Sequence, residues 1–144
     1  MTQHLLFNAA GLNLAAPAEA VKAIHEKLDV QPVAGTKRWF AGLAVANGKL
    51  LPVTDVGVYS GRRSSTGRTL ELDPAAGIAG LRVDNVVGLS DSPVSDAGQT
   101  QPSGYDILTL TGRVIVQDEH SYQIVDIAAL VQSAAFLNIA ESEV

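Results

Sequence analysis

The chain contains no cysteine. That single absence excludes a disulfide scaffold, a thiolate zinc site and a cysteine nucleophile, and it suits a reducing compartment. Positive charge is not in surplus either: 10 Lys and Arg against 15 Asp and Glu leave a net charge of −5. Nucleic acid is therefore excluded as a partner class, because that affinity rests on excess Lys and Arg facing phosphates. No uninterrupted apolar run approaches the roughly 18 residues of a membrane span, so no direct membrane insertion is expected. The start, "MTQHLLFNAAGLNLAAP", has no basic segment ahead of its apolar part and does not read as a signal peptide. A soluble cytoplasmic protein is the resulting expectation.

What is present is an ordinary globular composition, 47% hydrophobic and 17% charged over 144 residues, enough for one domain with a proper core. In "APAEAVKAIHEKLDV" Val21, Ile24 and Leu28 fall at helical spacing behind Pro17, which predicts a short helix in the N-terminal half. "DIAALVQSAAFLNIA" predicts a C-terminal helix capped by Asp126, with Ile127, Leu130, Val131 and Ala134 on one face. Between them the chain reads as short strands separated by Gly, Pro, Asn, Asp and Ser.

The clearest local signal is "WFAGLAVANGKLLPVTD", residues 39–55. Asn47-Gly48 fits a two-residue type I′ turn, which needs positive φ at both positions. That turn pairs Val45 with Leu50 and Leu43 with Pro52 on one face, and Ala44 with Leu51 and Gly42 with Val53 on the other. Both faces are apolar, which predicts cover on both sides, and Gly42 either lets another backbone approach closely or marks a bend at a barrel corner. A similar unit runs from Gly112 through a turn at Asp118-Glu119 to Asp126. "RTLELDP" and "IAGLRVDNVVGL" add two strand-like runs. The count fits a mainly β fold, two small SH3-like β-barrels sharing one chain, residues 1–144 forming a single domain of two subdomains.

Chemistry is sparse. His4, His25 and His120 have no metal-ligand spacing, and Asp55, Asp84 and Asp126 each follow an apolar run, where they read as strand ends and caps. "SGRRSSTGRT", residues 60–69, lacks the phosphate-loop spacing and precedes a strand rather than a helix, so it reads as a solvated, flexible connection. "DSPVSDAGQTQPSGY", ending at Tyr105, reads as a connection crossing from one barrel to the other. Neither a catalytic residue, a metal nor a cofactor is expected.

The ordered set W-x-x-G (Trp39 to Gly42), Asn47-Gly48, L-P-V-x-D (Leu51 to Asp55) and A-G-L-x-V-D-x-V (Ala79 to Val86) resembles the CheW family of chemotaxis coupling proteins. An upstream V-x-x-I element, Val21 and Ile24, and the closing "YQIVDIAALV" extend the resemblance from about Leu5 to Leu137. It implies a non-catalytic adaptor of two SH3-like barrels that bridges the cytoplasmic tip of a chemoreceptor to the regulatory domain of a CheA-type histidine kinase. The groove between the barrels would receive the receptor's helical hairpin, and one barrel's end would pack on the kinase. The binding residues it implies are Val21, Ala23 and Ile24 upstream, and Gly42, Asn47 and Gly48 on the hairpin. Two positions depart from the family pattern: Asn47 stands where relatives carry an arginine, and Ala23 where they often carry an acid. Losing both removes a charge pattern that sets partner choice, which implies a divergent member serving a type IV pilus or other alternative chemosensory pathway. Two further functions are weighed beside this one. The first is a barrel-type module binding another regulator without a receptor; the second is a small phosphate-binding hydrolase using the arginine-rich loop and Asp55.

Overall fold

The computed structural model describes residues 3–75, 77–96 and 108–140. Strands β1 (His4–Ala9) and β2 (Leu12–Pro17) open the chain, and a 3-10 turn at Ala18–Ala20 leads into β3 (Val21–His25). Next come β4 (Phe40–Ala46), β5 (Lys49–Asp55), the one-turn helix α1 (Val56–Tyr59), β6 (Thr69–Leu72) and β7 (Gly80–Arg82). The chain closes with β8 (Asn85–Ser90), β9 (Val94–Asp96), β10 (Leu110–Gln117), β11 (His120–Val125), α2 (Ile127–Gln132) and α3 (Ala134–Leu137).

These strands form two mixed sheets, one ordered β8-β1-β2-β11-β10-β9 and the other β3-β6-β7-β5-β4. Each curls until its outer strands approach one another. In the first sheet, β8 and β9 lie at opposite ends of the order yet are joined only by the link 91–93. In the second, Gln31, just beyond β3, bridges to Leu43 of β4 at the far edge. The fold is mainly β and of the double SH3-like kind expected from the sequence.

Three apolar clusters explain the arrangement. Leu6, Ala15, Ile115, Tyr122 and Ile124 fill the first curl, and Ala44, Ala46, Leu51 and Val53 fill the second. The largest lies between the sheets: Leu5, Phe7, Leu12 and Leu14 meet Leu70, Leu72, Leu81 and Val83, with Ile127, Leu130 and Phe136 closing over them. Because β1 and β2 contribute to two clusters, they are apolar on both faces and show no alternation. Their turn uses Ala10 and Gly11 at φ 51 and 84. A non-glycine residue there gives no turn signal, and the sequence reading finds no strand before Ala16.

The helix expected around Val21–Leu28 is absent. Val21–His25 instead form β3, which pairs antiparallel with β6, Ala23 opposite Glu71 and Ile24 opposite Leu70. An open edge of the second sheet and the cross-strand partners offered by Glu71 outweigh a weak helical spacing. Pro17 ends β2 at ψ 133 rather than starting a helix. At the C-terminus Asp126 does cap α2, accepting from Ala129 N, but Ser133 in extended backbone breaks the helix and caps α3 in turn.

The β4–β5 hairpin has the expected register, Gly42 with Val53, Ala44 with Leu51 and Val45 with Leu50. Asn47 and Gly48 have φ 53 and 75, as the turn requires. Its cover differs: Val45 and Leu50 are 64% and 63% exposed, so one face is open. "IAGLRVDNVVGL" divides at Asp84 into β7 and β8, and it is here that the chain crosses back between sheets. The stretch assigned to a crossing connection instead contributes β9, which stays in the same sheet as β8. Residues 97–105 of that stretch, with Tyr105, lie outside the described residues.

Candidate partner-docking surface

β3 runs along the boundary between the sheets and faces β8 across an apolar groove of about 380 Å³. Its walls are Leu5 and Leu89 on one side and Val21, Ala23 and Ile24 on the other, with Lys22 the only ionisable side chain. Ile24 and Leu89 remain 42% and 57% exposed. Two large aliphatic side chains held open to water beside one another are what a partner's apolar face would cover.

A second concavity of about 320 Å³ lies at the end of the β4–β5 hairpin, between Leu50, Ile78 and Pro74. Asn47 and Lys49 stand at its lip, and Lys22 and Glu71 close it toward β3. Ile78 is 66% exposed, so this end of the second sheet is apolar with a basic rim. Glu71 does not make the rim acidic. Its side chain is nearly buried, with His25 Nε2 2.8 Å from one oxygen and Lys22 Nζ 3.7 Å from the other.

The six residues singled out from the sequence therefore separate into three places. Val21, Ala23 and Ile24 line the groove. Asn47 lines the neighbouring slot, and Gly48 beside it has open space around its Cα. Gly42 is buried: a Cβ there, at φ 141, would collide with the Gln31 carbonyl, so its glycine serves the close backbone approach at the Gln31–Leu43 bridge. Leu89, Leu50, Ile78 and Lys22 were not singled out. An apolar residue in a strand reads as core until one knows what covers it.

The arginine-rich loop, read from the sequence as a free connection, is hydrogen-bonded to its surroundings. Asp55 accepts from Val58 N at the start of α1, from Ser65 N (2.9 Å) and from the Ser64 hydroxyl (2.6 Å). Asp84 accepts from Ala10 N (2.7 Å), Thr66 N (3.1 Å) and Arg63 Nη2 (3.2 Å). Arg62 donates to the Ala10 carbonyl at 2.7 Å. These bonds tie the loop to both sheets and occupy the groups a phosphate would need. A cavity of about 590 Å³ beside the loop is lined by Glu26 and Asp29 as well as Lys27 and Arg82 and concentrates no charge of one sign. Among the described residues, no cluster of His, Asp or Glu is placed to hold a metal ion. His4 is buried on β1, where desolvation pulls its pKa below the usual 6.5 and Nδ1 has no hydrogen-bond partner.

Two curled sheets around a common core, with apolar concavities at and beside their junction, define a protein-docking fold whose assets are surfaces. The CheW-like domain model matches residues 3–135, and the chain belongs to that family, whose domains are non-catalytic scaffolds. Among solved structures, the scaffolding protein TtCheW from Thermoanaerobacter tengcongensis aligns with a TM-score of 0.76 at 16% identity, over 93% of this chain and 94% of that one. Among curated proteins, Protein PilI of Pseudomonas aeruginosa is 29% identical over 139 residues, 93% of this chain and 78% of that protein. The hydrolase alternative falls with the family assignment and with the internal engagement of the loop.

Proposed function

We propose that this chain is a cytoplasmic coupling protein that joins a chemoreceptor's cytoplasmic tip to a CheA-type histidine kinase, in a type IV pilus chemosensory pathway. The observation that carries the proposal is the match of the CheW-like domain to residues 3–135, nearly the whole chain. The groove of Val21, Ala23, Ile24 and Leu89 suits the apolar face of a helical hairpin, and the receptor tip is assigned to it. The slot at the β4–β5 hairpin end is assigned to the kinase regulatory domain. The likeness to PilI supports the pilus pathway, as does the replacement of the family's arginine and acid by Asn47 and Ala23. Among the described residues no helix is long and apolar enough to cross a membrane, which agrees with a role between receptor and kinase.

The test is size-exclusion co-elution of the full chain with the cognate kinase regulatory domain, and separately with a receptor-tip helical hairpin. Ile24→Asp places a charge on a side chain that is already 42% exposed, so the fold should survive it. Receptor-tip affinity should fall at least about ten-fold, the equivalent of roughly 1.4 kcal/mol, with an unchanged circular dichroism spectrum. A folded chain that binds neither partner would defeat the proposal.

A further inference from the structure

The receptor groove and the kinase slot share one side chain. Lys22 lines both. Its ammonium lies 3.7 Å from Glu71 Oε2, an ion pair longer than a hydrogen bond, with 46% of the lysine side chain exposed. The other Glu71 oxygen is held more closely by His25 Nε2 at 2.8 Å. Glu71 therefore keeps a near partner whichever way Lys22 points, and a flexible four-carbon stem can move its charge between the two concavities at little cost.

We infer that Lys22 couples the two docking surfaces, so that a helical hairpin in the groove and an acidic edge in the slot bind with positive cooperativity. The inference rests on the coupling reading above and adds the residue through which the two sites communicate. An apolar helix face entering between Ile24 and Leu89 desolvates the groove, and an ammonium is not retained in a dry apolar space. Lys22 is driven toward Glu71 and the slot, where it joins Lys49 on the rim and raises the positive potential met by a carboxylate. The reverse holds by linkage: a carboxylate in the slot draws Lys22 over and clears the groove. The structure places the ammonium beside Glu71; the inferred second position, over the groove, is the one that both ligands disfavour. The kinase-side partner is thereby specified as an apolar residue flanked by Asp or Glu, fitting Leu50 and Ile78 beneath the two lysines.

The experiment measures affinity of the full chain for the receptor-tip hairpin with and without saturating kinase regulatory domain. In the unaltered protein the affinity should rise by about five-fold or more when the second partner is present, within the range of ordinary allosteric coupling, and the rise should shrink with added salt. Lys22→Met keeps the apolar stem and removes the charge. It should bind the hairpin alone more tightly than the unaltered chain does, because no ammonium has to leave the groove, and show a ratio close to one. Lys22→Arg should restore most of the ratio, and Trp39 fluorescence would certify the fold of each variant. If both partners bind and the ratio is the same in Lys22→Met as in the unaltered chain, the inference is overturned while the coupling function stands. If neither partner binds the unaltered chain, both fall together.

Discussion

At the scale of single residues, His4 is a group whose ionisation the fold resists. It sits on β1 opposite Pro17 and Ser90, 6% exposed, with Nδ1 lacking an acceptor for a second proton. Burial disfavours the charged imidazolium, so the folded pKa lies below the 6.5 of the unfolded chain. Between those two values the unfolded state binds more protons than the native state, and stability rises with pH. The contribution of His4 is therefore complete above about pH 6.5 and is lost as pH falls through the lower, folded value. Urea titrations at intervals from neutral to mildly acidic pH should show this fall in the unaltered protein. His4→Gln, which cannot titrate, should show a shallower one; equal slopes in the two proteins would rule His4 out as the source.

At the scale of elements, two units share one plan. β4–β5 and β10–β11 are hairpins with positive φ at both turn residues, Asn47-Gly48 and Asp118-Glu119. Each return strand also pairs in parallel with a strand from elsewhere, β5 with β7 and β11 with β2, and an aspartate at its end (Asp55) or just after it (Asp126) caps a short helix. The two caps differ in what surrounds them. Asp126 is exposed and its side chain accepts from Ala129 N, so Asp126→Ala should cost about 1 kcal/mol, the usual value of an N-cap. Asp55 is 3% exposed and also holds the buried Ser65 N–H and the Ser64 hydroxyl. Asp55→Ala leaves those donors unpaired and should cost about 3 kcal/mol. Urea midpoints of the two variants check the order; a smaller loss at Asp55 would mean that the loop 60–69 rearranges to recover its bonds.

The same elements show what was legible in the sequence. The β4–β5 register was, because Asn-Gly suits one turn type and the turn sets every pair behind it. Both caps were, because an aspartate closing an apolar strand has few other uses. β3 was not: Val21, Ile24 and Leu28 match a helical stripe, and only the partner strand β6 shows that the segment is extended. The β1–β2 hairpin was hidden by burial on both faces and by Ala10 in a conformation that glycine usually supplies. Of the candidate docking surface, Val21, Ala23 and Ile24 were singled out through the family resemblance, and the structure places all three along one groove. Leu89 and Ile78 were not, since exposure is decided by how the two sheets meet, a contact between residues far apart in the chain.

At the scale of the whole molecule, the main core belongs to neither sheet alone. Phe7 and Leu14 come from one sheet and Leu70 and Leu81 from the other, and α2 and α3 seal the seam with Leu130 and Phe136. Trp39, the only tryptophan, marks this seal: its ring lies 4.9 Å from Tyr59, edge-on, and 6.2 Å from Phe136, stacked. Beyond α3 the chain returns to the segment ahead of β4, Lys37 N donating to the Ile139 carbonyl at 2.7 Å. Neither sheet can open without exposing apolar surface of the other, so a single cooperative transition is expected. Trp39 fluorescence, which reports the seal, and far-UV circular dichroism, which reports both sheets, should give the same urea midpoint. Phe136→Ala removes a ring that is 6% exposed and should cost about 3 kcal/mol or more. Its diagnostic value lies in how the two signals respond. If the sheets unfold as one body, both midpoints move down together. If the fluorescence midpoint falls while most of the dichroism change stays where it was, the sheets are separable domains and the shared core does not bind them into one.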